Sequence, residues 1–228
     1  LTKKKVVFCT PSLTGPTKPY IKALEDSIPL IIAAGWDEGY AQEIANPYIS
    51  GARAAMTRKA LDAQADVIVY LDYDLSWDPQ DLLTLIETEG DVVAGTYRIK
   101  QDEPEYMSTL YTDAEGRPMV ARDGTLSANK APAGFLKVTS AAIDRYMTAY
   151  PELCYGPKFR LSVDLFNHGA HKGVWWGEDY AFSRRWIEMG ERIALIPNLN
   201  LTHWQGDKAY PGNFHEFLLH CPGGQKAA

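Results

Sequence analysis

The stretch Val67-Ile68-Val69-Tyr70-Leu71-Asp72-Tyr73-Asp74-Leu75-Ser76-Trp77-Asp78-Pro79 decides how the rest of the chain is read. Its first five residues are apolar without alternation, as in a strand covered on both faces of a parallel sheet. The run stops at two carboxylates. Asp78-Pro79 then starts a helix, with Asp as N-cap, Pro at the first helical position and Asp81 in the first turn. Leu82, Leu83, Leu85 and Ile86 form its apolar face, and Gly90 ends it. Asp91-Val92-Val93-Ala94-Gly95-Thr96 reads as the next strand. Strand, helix, strand at this spacing argues for an α/β fold with a mostly parallel central sheet flanked by helices.

The same logic extends outward. Val6-Val7-Phe8-Cys9 reads as a buried strand ended by Thr10-Pro11-Ser12. Residues 18–34 begin as a helix that Pro29 is expected to break, with a strand following it and closing at Gly35-Trp36. Residues 50–65 are rich in good helix formers. Beyond residue 100 the chain turns polar, and alternation over 107–111 and 118–121 predicts a small antiparallel hairpin. Residues 133–138 read as a strand and 139–149 as a helix capped by Thr139 or Ser140. Residues 150–176 lack a period, and so long a stretch reads as a functional lid. A helix over 178–189 stopped by Gly190 and a strand over 192–196 stopped by Pro197 follow, and the tail after His220 reads as disordered. With no internal repeat and no linker, residues 1–228 form one domain.

Composition narrows the function classes. At 228 residues and a net charge of −6, the chain has no overall attraction for nucleic acid, and a polyanionic partner would need a local basic patch. Cys9, Cys154 and Cys221 are scattered, with no C-x-x-C pair, so neither a structural zinc site nor a disulfide framework is indicated. Three reduced thiols predict a cytoplasmic protein. No stretch approaches the ~18–20 apolar residues of a membrane span, and the basic start Leu1–Lys5 does not read as a secretory leader.

Asp72 and Asp74 sit where α/β sheets bind ligands, beyond the carboxyl end of a buried strand. In an extended segment, residues i and i+2 point the same way, so both carboxylates would converge. Like charges brought together call for a cation, and Mg²⁺ or Mn²⁺ suits oxygen ligands plus substrate phosphate. A lone D-x-D is common and reads equally as a turn cap beside a solvated acid. Here Asp78 already supplies the cap, which favours the cation site.

Residues 67–77, the helix after them and Asp91-Val92-Val93-Ala94-Gly95 resemble the core of GT-A glycosyltransferases, in a small, single-domain, family 2-like form. The resemblance implies a nucleotide-sugar half over about 1–100, an acceptor half over about 101–206 and a C-terminal extension over 207–228. It also implies a D-x-D motif that binds the nucleotide-sugar through Mn²⁺ or Mg²⁺. Asp74 would be the metal ligand, and Asp72 would touch the ribose or reach the metal through water, with Tyr73 between them at the donor.

A second signature lies in Trp175-Trp176-Gly177-Glu178-Asp179-Tyr180, followed by a helix, a strand and His203. Acids in a first helical turn gain ~0.3–1 kcal/mol from the helix dipole, which alone would account for them, and a lone His is usually a core residue. Together they are similar to the end of the GT-A catalytic core. That likeness implies Asp179 as general base of an inverting transfer, Glu178 as acceptor contact or alternative base, and His203 as third metal ligand beside Asp74 and Asp72. It also implies donor contacts from Thr10, Pro11, Ser12, Arg53 and Lys100, a close backbone approach at Gly134, and sugar stacking at Trp176.

The activity implied is transfer of a sugar from a nucleoside-diphosphate donor, UDP-linked, to an acceptor hydroxyl on a glycan, protein, lipid or modified nucleobase. Two alternatives stand beside it. A sugar nucleotidyltransferase would need a glycine-rich loop after the first strand, where residues 10–16 hold two prolines and one glycine. A non-catalytic nucleotide-sugar-binding module would not need Asp72, Asp74, Asp179 and His203 together.

Overall fold

The computed structural model describes residues 3–220. The first part of the chain runs β1 (Lys5–Ser12), α1 (Lys18–Ala33), β2 (Asp37–Ile44), α2 (Ile49–Asp62), β3 (Val67–Leu71), β4 (Leu75–Trp77), α3 (Pro79–Glu87) and β5 (Val92–Ala94). Next come β6 (Thr109–Leu110), β7 (Leu126–Lys130), β8 (Phe135–Thr139), α4 (Ser140–Ala149), β9 (Cys154–Tyr155), β10 (Ser162–Val163), β11 (Gly169–His171) and β12 (Val174–Trp176). The chain finishes with α5 (Glu178–Glu188), β13 (Ile193–Leu195), β14 (Asn200–Gln205), β15 (Lys208–Asn213) and α6 (Phe214–His220).

The central sheet has the order β2-β1-β3-β8-β5-β13-β7-β6. β8 and β7 run against the other six strands. The unbroken apolar runs follow from burial on both faces. Val6 and Phe8 of β1, with Val67, Val69 and Leu71 of β3, pack with Tyr20 and Ile31 of α1 and Leu82 and Leu85 of α3. Their neighbours Val7, Cys9, Ile68 and Tyr70 pack on the other side with Met56 of α2, Tyr146 of α4 and Phe182 of α5. A small antiparallel sheet, β15-β14-β4, ties the chain just after β3 to the C-terminal region, pairing His203 with Leu75 and Leu201 with Trp77.

Several expectations change. Pro29 does not end α1, and β2 starts only at Asp37. Pro29 lies on the exposed side, while Tyr20, Ala23, Ser27 and Ile31 form the buried side. Ser27 Oγ donates to Ala23 O at 2.6 Å and accepts from Trp77 Nε1 at 3.1 Å. Packing of that face outweighs the ~3 kcal/mol cost of an interior proline. Asp78 is the N-cap residue of α3 but makes no capping bond with its side chain; its carboxylate accepts from Asn200 Nδ2 instead. Thr139 caps α4 as expected, accepting from Ala142 N at 3.1 Å.

The hairpin over 107–121 forms through the Thr112–Pro118 bridge and the bonds Met119 N to Tyr111 O and Asp113 N to Arg117 O, both 2.9 Å, while β6 ladders with β7. The stretch 150–176 is not purely a lid. It carries two short ladders, β9/β10 and β11/β12, and buries Val163, Leu165 and Phe166 in the core. Within residues 207–220, β15 pairs with β14 and Phe214 is buried. The expectation for the tail after His220 lies outside the described residues. Among the described residues no helix is long and apolar enough to cross a membrane.

Gly95, just past β5, is pinned by its N–H to Phe135 O at 2.9 Å. A Cβ there would sit 2.8 Å from Leu199 Cδ1 and from Phe135 Cδ1. Gly95→Ala should therefore destabilise the fold by about 1–3 kcal/mol through overpacking. Urea unfolding checks this, and an unchanged midpoint would mean that the Leu199–Phe135 wall yields freely.

Candidate active site

The apolar packing of β3 ends at Leu71, and the chain turns at once. Asp72 N donates to Gly134 O at 2.9 Å, and Leu75 N folds back to Asp72 O at 3.1 Å. Asp72 and Asp74 therefore sit in a turn, where the i, i+2 rule of an extended strand does not hold. Both line one cavity of ≈ 260 Å³, with Pro11, Ser12, Arg53, Tyr73, Glu178 and His203. Their carboxylates, however, face different partners.

Asp72 is held from two sides. Its Oδ1 accepts from Arg53 Nη2 at 3.0 Å and its Oδ2 from the Tyr97 hydroxyl at 3.0 Å. Burial first, and the Asp72 charge second, push the Tyr97 hydroxyl well above its ordinary pKa, so it remains a donor. Gly134 lies directly beneath: a Cβ there would overlap both Asp72 Oδ2 and Tyr97 Oη. The close approach expected of Gly134 is thus made by the Asp72 carboxylate.

Arg53 is 2% exposed. Its guanidinium carbon lies 5.1 Å from the centre of the Phe166 ring, and Nη1 donates to Glu178 Oε1 at 3.0 Å. Burial works against its charge, but Asp72 and Glu178 more than offset that, raising its pKa further. The helical context of α2 explains its placement: Thr57 Oγ1 bonds both Arg53 O, at 2.7 Å, and the Tyr70 hydroxyl of β3, at 2.6 Å.

Asp74 has a separate set. Lys100 Nζ pairs with its Oδ2, and His203 Nε2 lies 3.6 Å from its Oδ1. Burial acts to raise the Asp74 carboxyl, but His203 and Lys100 outweigh it and hold it below its ordinary value. His203 Nδ1 lies 2.8 Å from Arg98 O. A carbonyl only accepts, so Nδ1 carries a proton, and Nε2 is the ring nitrogen turned toward Asp74. Such an outer-side bond is how a metal-binding imidazole is usually oriented. Asp74 and His203 therefore fit a shared cation. Asp72 does not complete a three-residue set with them. Among the described residues no group of three or more His, Cys, Asp or Glu side chains could hold a metal. Further ligands would have to come from phosphate oxygens and water.

Glu178 and Asp179 open α5, with Gly177 as N-cap. Asp179 Oδ1 accepts from Tyr180 N at 2.8 Å, and Asp179 pairs with no cation among the described residues. Burial, then the Glu178 charge, push its carboxyl up to about 6.

The remaining candidates divide. Pro11 and Ser12 line the cavity, and Ser12 Oγ is buried without a hydrogen-bond partner. Thr10 does not line it; its hydroxyl bonds Tyr20 inside the core. Trp176 lies outside the cavity lining, with Lys130 and Arg184 over its ring at 5.7 and 5.4 Å. Phe166 went unrecognised in the sequence, while Tyr97 stands in the stretch 97–100, one residue of which is expected to contact the diphosphate or sugar. Tyr97 leaves the same strand end as Lys100, and that position was its only signal. Phe166 lies in an aperiodic stretch and gave none.

No known family model and no curated protein matches the chain. Solved structures do. A197 from STIV aligns with TM-score 0.50 and 16% identity, over 92% of this chain and 94% of that one. The structure of GalNAc-T7 with UDP, GalNAc and Mn²⁺ aligns with TM-score 0.54 and 11% identity, over 90% of this chain but only 46% of that one. The chain has a GT-A-like glycosyltransferase fold.

Gly134→Ala is the sharpest probe of the crowding at Asp72. It should displace the carboxylate from Tyr97 and Arg53 and weaken donor binding about tenfold or more, in line with the ~1–3 kcal/mol of a strained site. Calorimetric titration with UDP and Mn²⁺ checks this, and undiminished affinity would show that the Asp72 position is not used.

Proposed function

We propose that the protein transfers a sugar from a UDP-linked donor to an acceptor hydroxyl with inversion, aided by Mn²⁺ or Mg²⁺. One observation carries the reading: Asp72 and Asp74 at the end of β3 share a cavity with Glu178 and His203, from the far end of the chain, on a GT-A-like fold. That GalNAc-T7 was crystallised with UDP, GalNAc and Mn²⁺ supports the choice of donor and metal.

The residues divide the work. Asp74 and His203 would hold the metal, which supplies positive charge to the leaving diphosphate. Lys100, paired with Asp74 and partly exposed, is the cation with freedom to follow that charge. Asp72, clamped by Arg53 and Tyr97, would face the ribose. Pro11 and Ser12 form the wall on which the nucleoside would lie. Asp179 takes the proton of the acceptor hydroxyl, a poor nucleophile until deprotonated; a positioned base contributes ~10²–10⁴-fold. Glu178 is engaged by Arg53, which leaves Asp179 the freer carboxylate. The nucleotidyltransferase alternative is disfavoured because residues 10–12 end β1 as strand, without a glycine-rich wrap.

Asp74→Ala should abolish Mn²⁺-dependent UDP release from UDP-sugars, and retained release would remove the metal role of Asp74. Asp179→Asn should keep UDP binding and lose about 10²–10⁴ in transfer; survival of transfer would make Glu178 or another group the base. The base must be ionised, so kcat/KM should fall as pH drops through about 6, where the Asp179 carboxyl takes up its proton. An acid limb nearer pH 4, the ordinary carboxylate range, would deny Asp179 that part.

A further inference from the structure

We infer that Arg53 is a positioning residue that couples the donor motif to the acceptor-side acids and does not itself grip the donor diphosphate. The inference rests on the sugar-transfer reading and differs from the donor contact that the resemblance implies for Arg53.

Three observations carry it. First, the guanidinium is already committed. Nη1 donates to Glu178 and Nη2 to Asp72, both at 3.0 Å, across sequence separations of 125 and 19 residues. Second, it is fixed in place by burial, at 2% exposure, and by the Phe166 ring at 5.1 Å. Swinging out to a diphosphate would strand two carboxylates without their shared cation, a costly exchange in a partly desolvated site. Third, a better candidate for the diphosphate exists. The Lys100 side chain is 28% exposed and ends beside Asp74 in the same site.

The consequence is a sorting of acids. The charges of Asp72, Glu178 and Asp179 all favour the charged Arg53 guanidinium, and those of Glu178 and Asp72 raise the Asp179 carboxyl. The planar fork of Arg53 matches two carboxylates at once, which a lysine ammonium cannot do with the same geometry. By holding Glu178, Arg53 fixes the first turn of α5 and leaves Asp179, the next residue, without an ion pair of its own among the described residues. By holding Asp72, it ties that same turn to the end of β3. The distance between donor motif and base is thereby set by one side chain.

The test uses the full chain with four variants: Arg53→Met, Arg53→Lys, Glu178→Gln and the pair Arg53→Met with Glu178→Gln. UDP affinity in Mn²⁺ is read by calorimetry, and kcat and donor KM by UDP release with acceptor. For Arg53→Met the expected result is a UDP Kd within about threefold of wild type and a kcat lower by about 100-fold or more, the pattern of an interaction that matters to the transition state rather than to binding. Adding Glu178→Gln removes one of the two stranded charges and leaves Asp72 with Tyr97, and it should restore kcat by about tenfold, a non-additivity expected of coupled neighbours. Arg53→Lys should recover less than that pair. The role is overturned if Arg53→Met weakens UDP more than tenfold with kcat kept. It is equally overturned if the kcat loss matches the loss of folded protein by circular dichroism, or if the added Glu178→Gln restores nothing. Should Arg53→Met fail to fold, the charge-balanced pair against Glu178→Gln alone makes the same comparison. Wild-type protein that transfers from no UDP-sugar sinks the function reading itself, whereas wild-type transfer with an unimpaired Arg53→Met sinks only the role of Arg53.

Discussion

Like charges at close quarters are the constraint on which this site depends. Asp72, Asp74, Glu178 and Asp179 are brought to one end of the sheet by elements far apart in the chain. In water four carboxylates so placed would repel one another. In partly desolvated surroundings they would either repel more strongly or take up protons. Arg53 and Lys100 divide the problem between them. Arg53 answers Asp72 and Glu178, and Lys100 with His203 answers Asp74. Asp179 alone of the four makes no ion pair among the described residues, and burial first and the Glu178 charge second push its carboxyl up to about 6.

Topology turns this balance into a geometry. β3 is buried on both faces, so its polar continuation can begin only where the helices stop covering it, at Asp72. The turn there feeds β4, whose pairing with β14 sets His203 opposite Leu75 and lets Trp204 N donate to Asp74 O at 2.8 Å. Two short strands thus place a histidine beside an aspartate 129 positions earlier in the chain. β8, running against β3, contributes Gly134 at its entry, and the missing side chain at that point makes room for the Asp72 carboxylate.

What could be read in the sequence follows the same physics. Continuous burial of Val67–Leu71, the Asp78-Pro79 helix start and the acids opening α5 are local patterns, and each reappears in the structure. Contacts that tertiary packing decides were not legible. Pro29 reads as a helix breaker, yet the packing of Tyr20, Ser27 and Ile31 carries α1 through it. The Asp72–Asp74 spacing suggests two carboxylates on one spot, but the turn sends them to separate partners. Thr10 looks like a pocket residue from its place at a strand end, yet its hydroxyl serves Tyr20 in the core. Arg53 early in its helix opposes the dipole, which suits either a nearby anion or an exposed side chain. The anions turned out to be Asp72 and Glu178, and a separation of 125 residues has no signature in a single sequence.

The two cations also differ in what they can do during a reaction. A fixed charge is worth most to a transition state when it need not reorganise, and Arg53, packed on Phe166 and bonded at both ends of its fork, is fixed before any ligand arrives. Lys100 is held by one carboxylate at the end of a flexible stem, and it is more exposed. An immobile guanidinium suits the lasting task of keeping donor and acceptor acids in register. A movable ammonium suits charge that appears only as the donor bond breaks. Under the proposed sugar transfer, the burial of the one and the exposure of the other would separate scaffold from participant, even though both are cations beside Asp72 and Asp74.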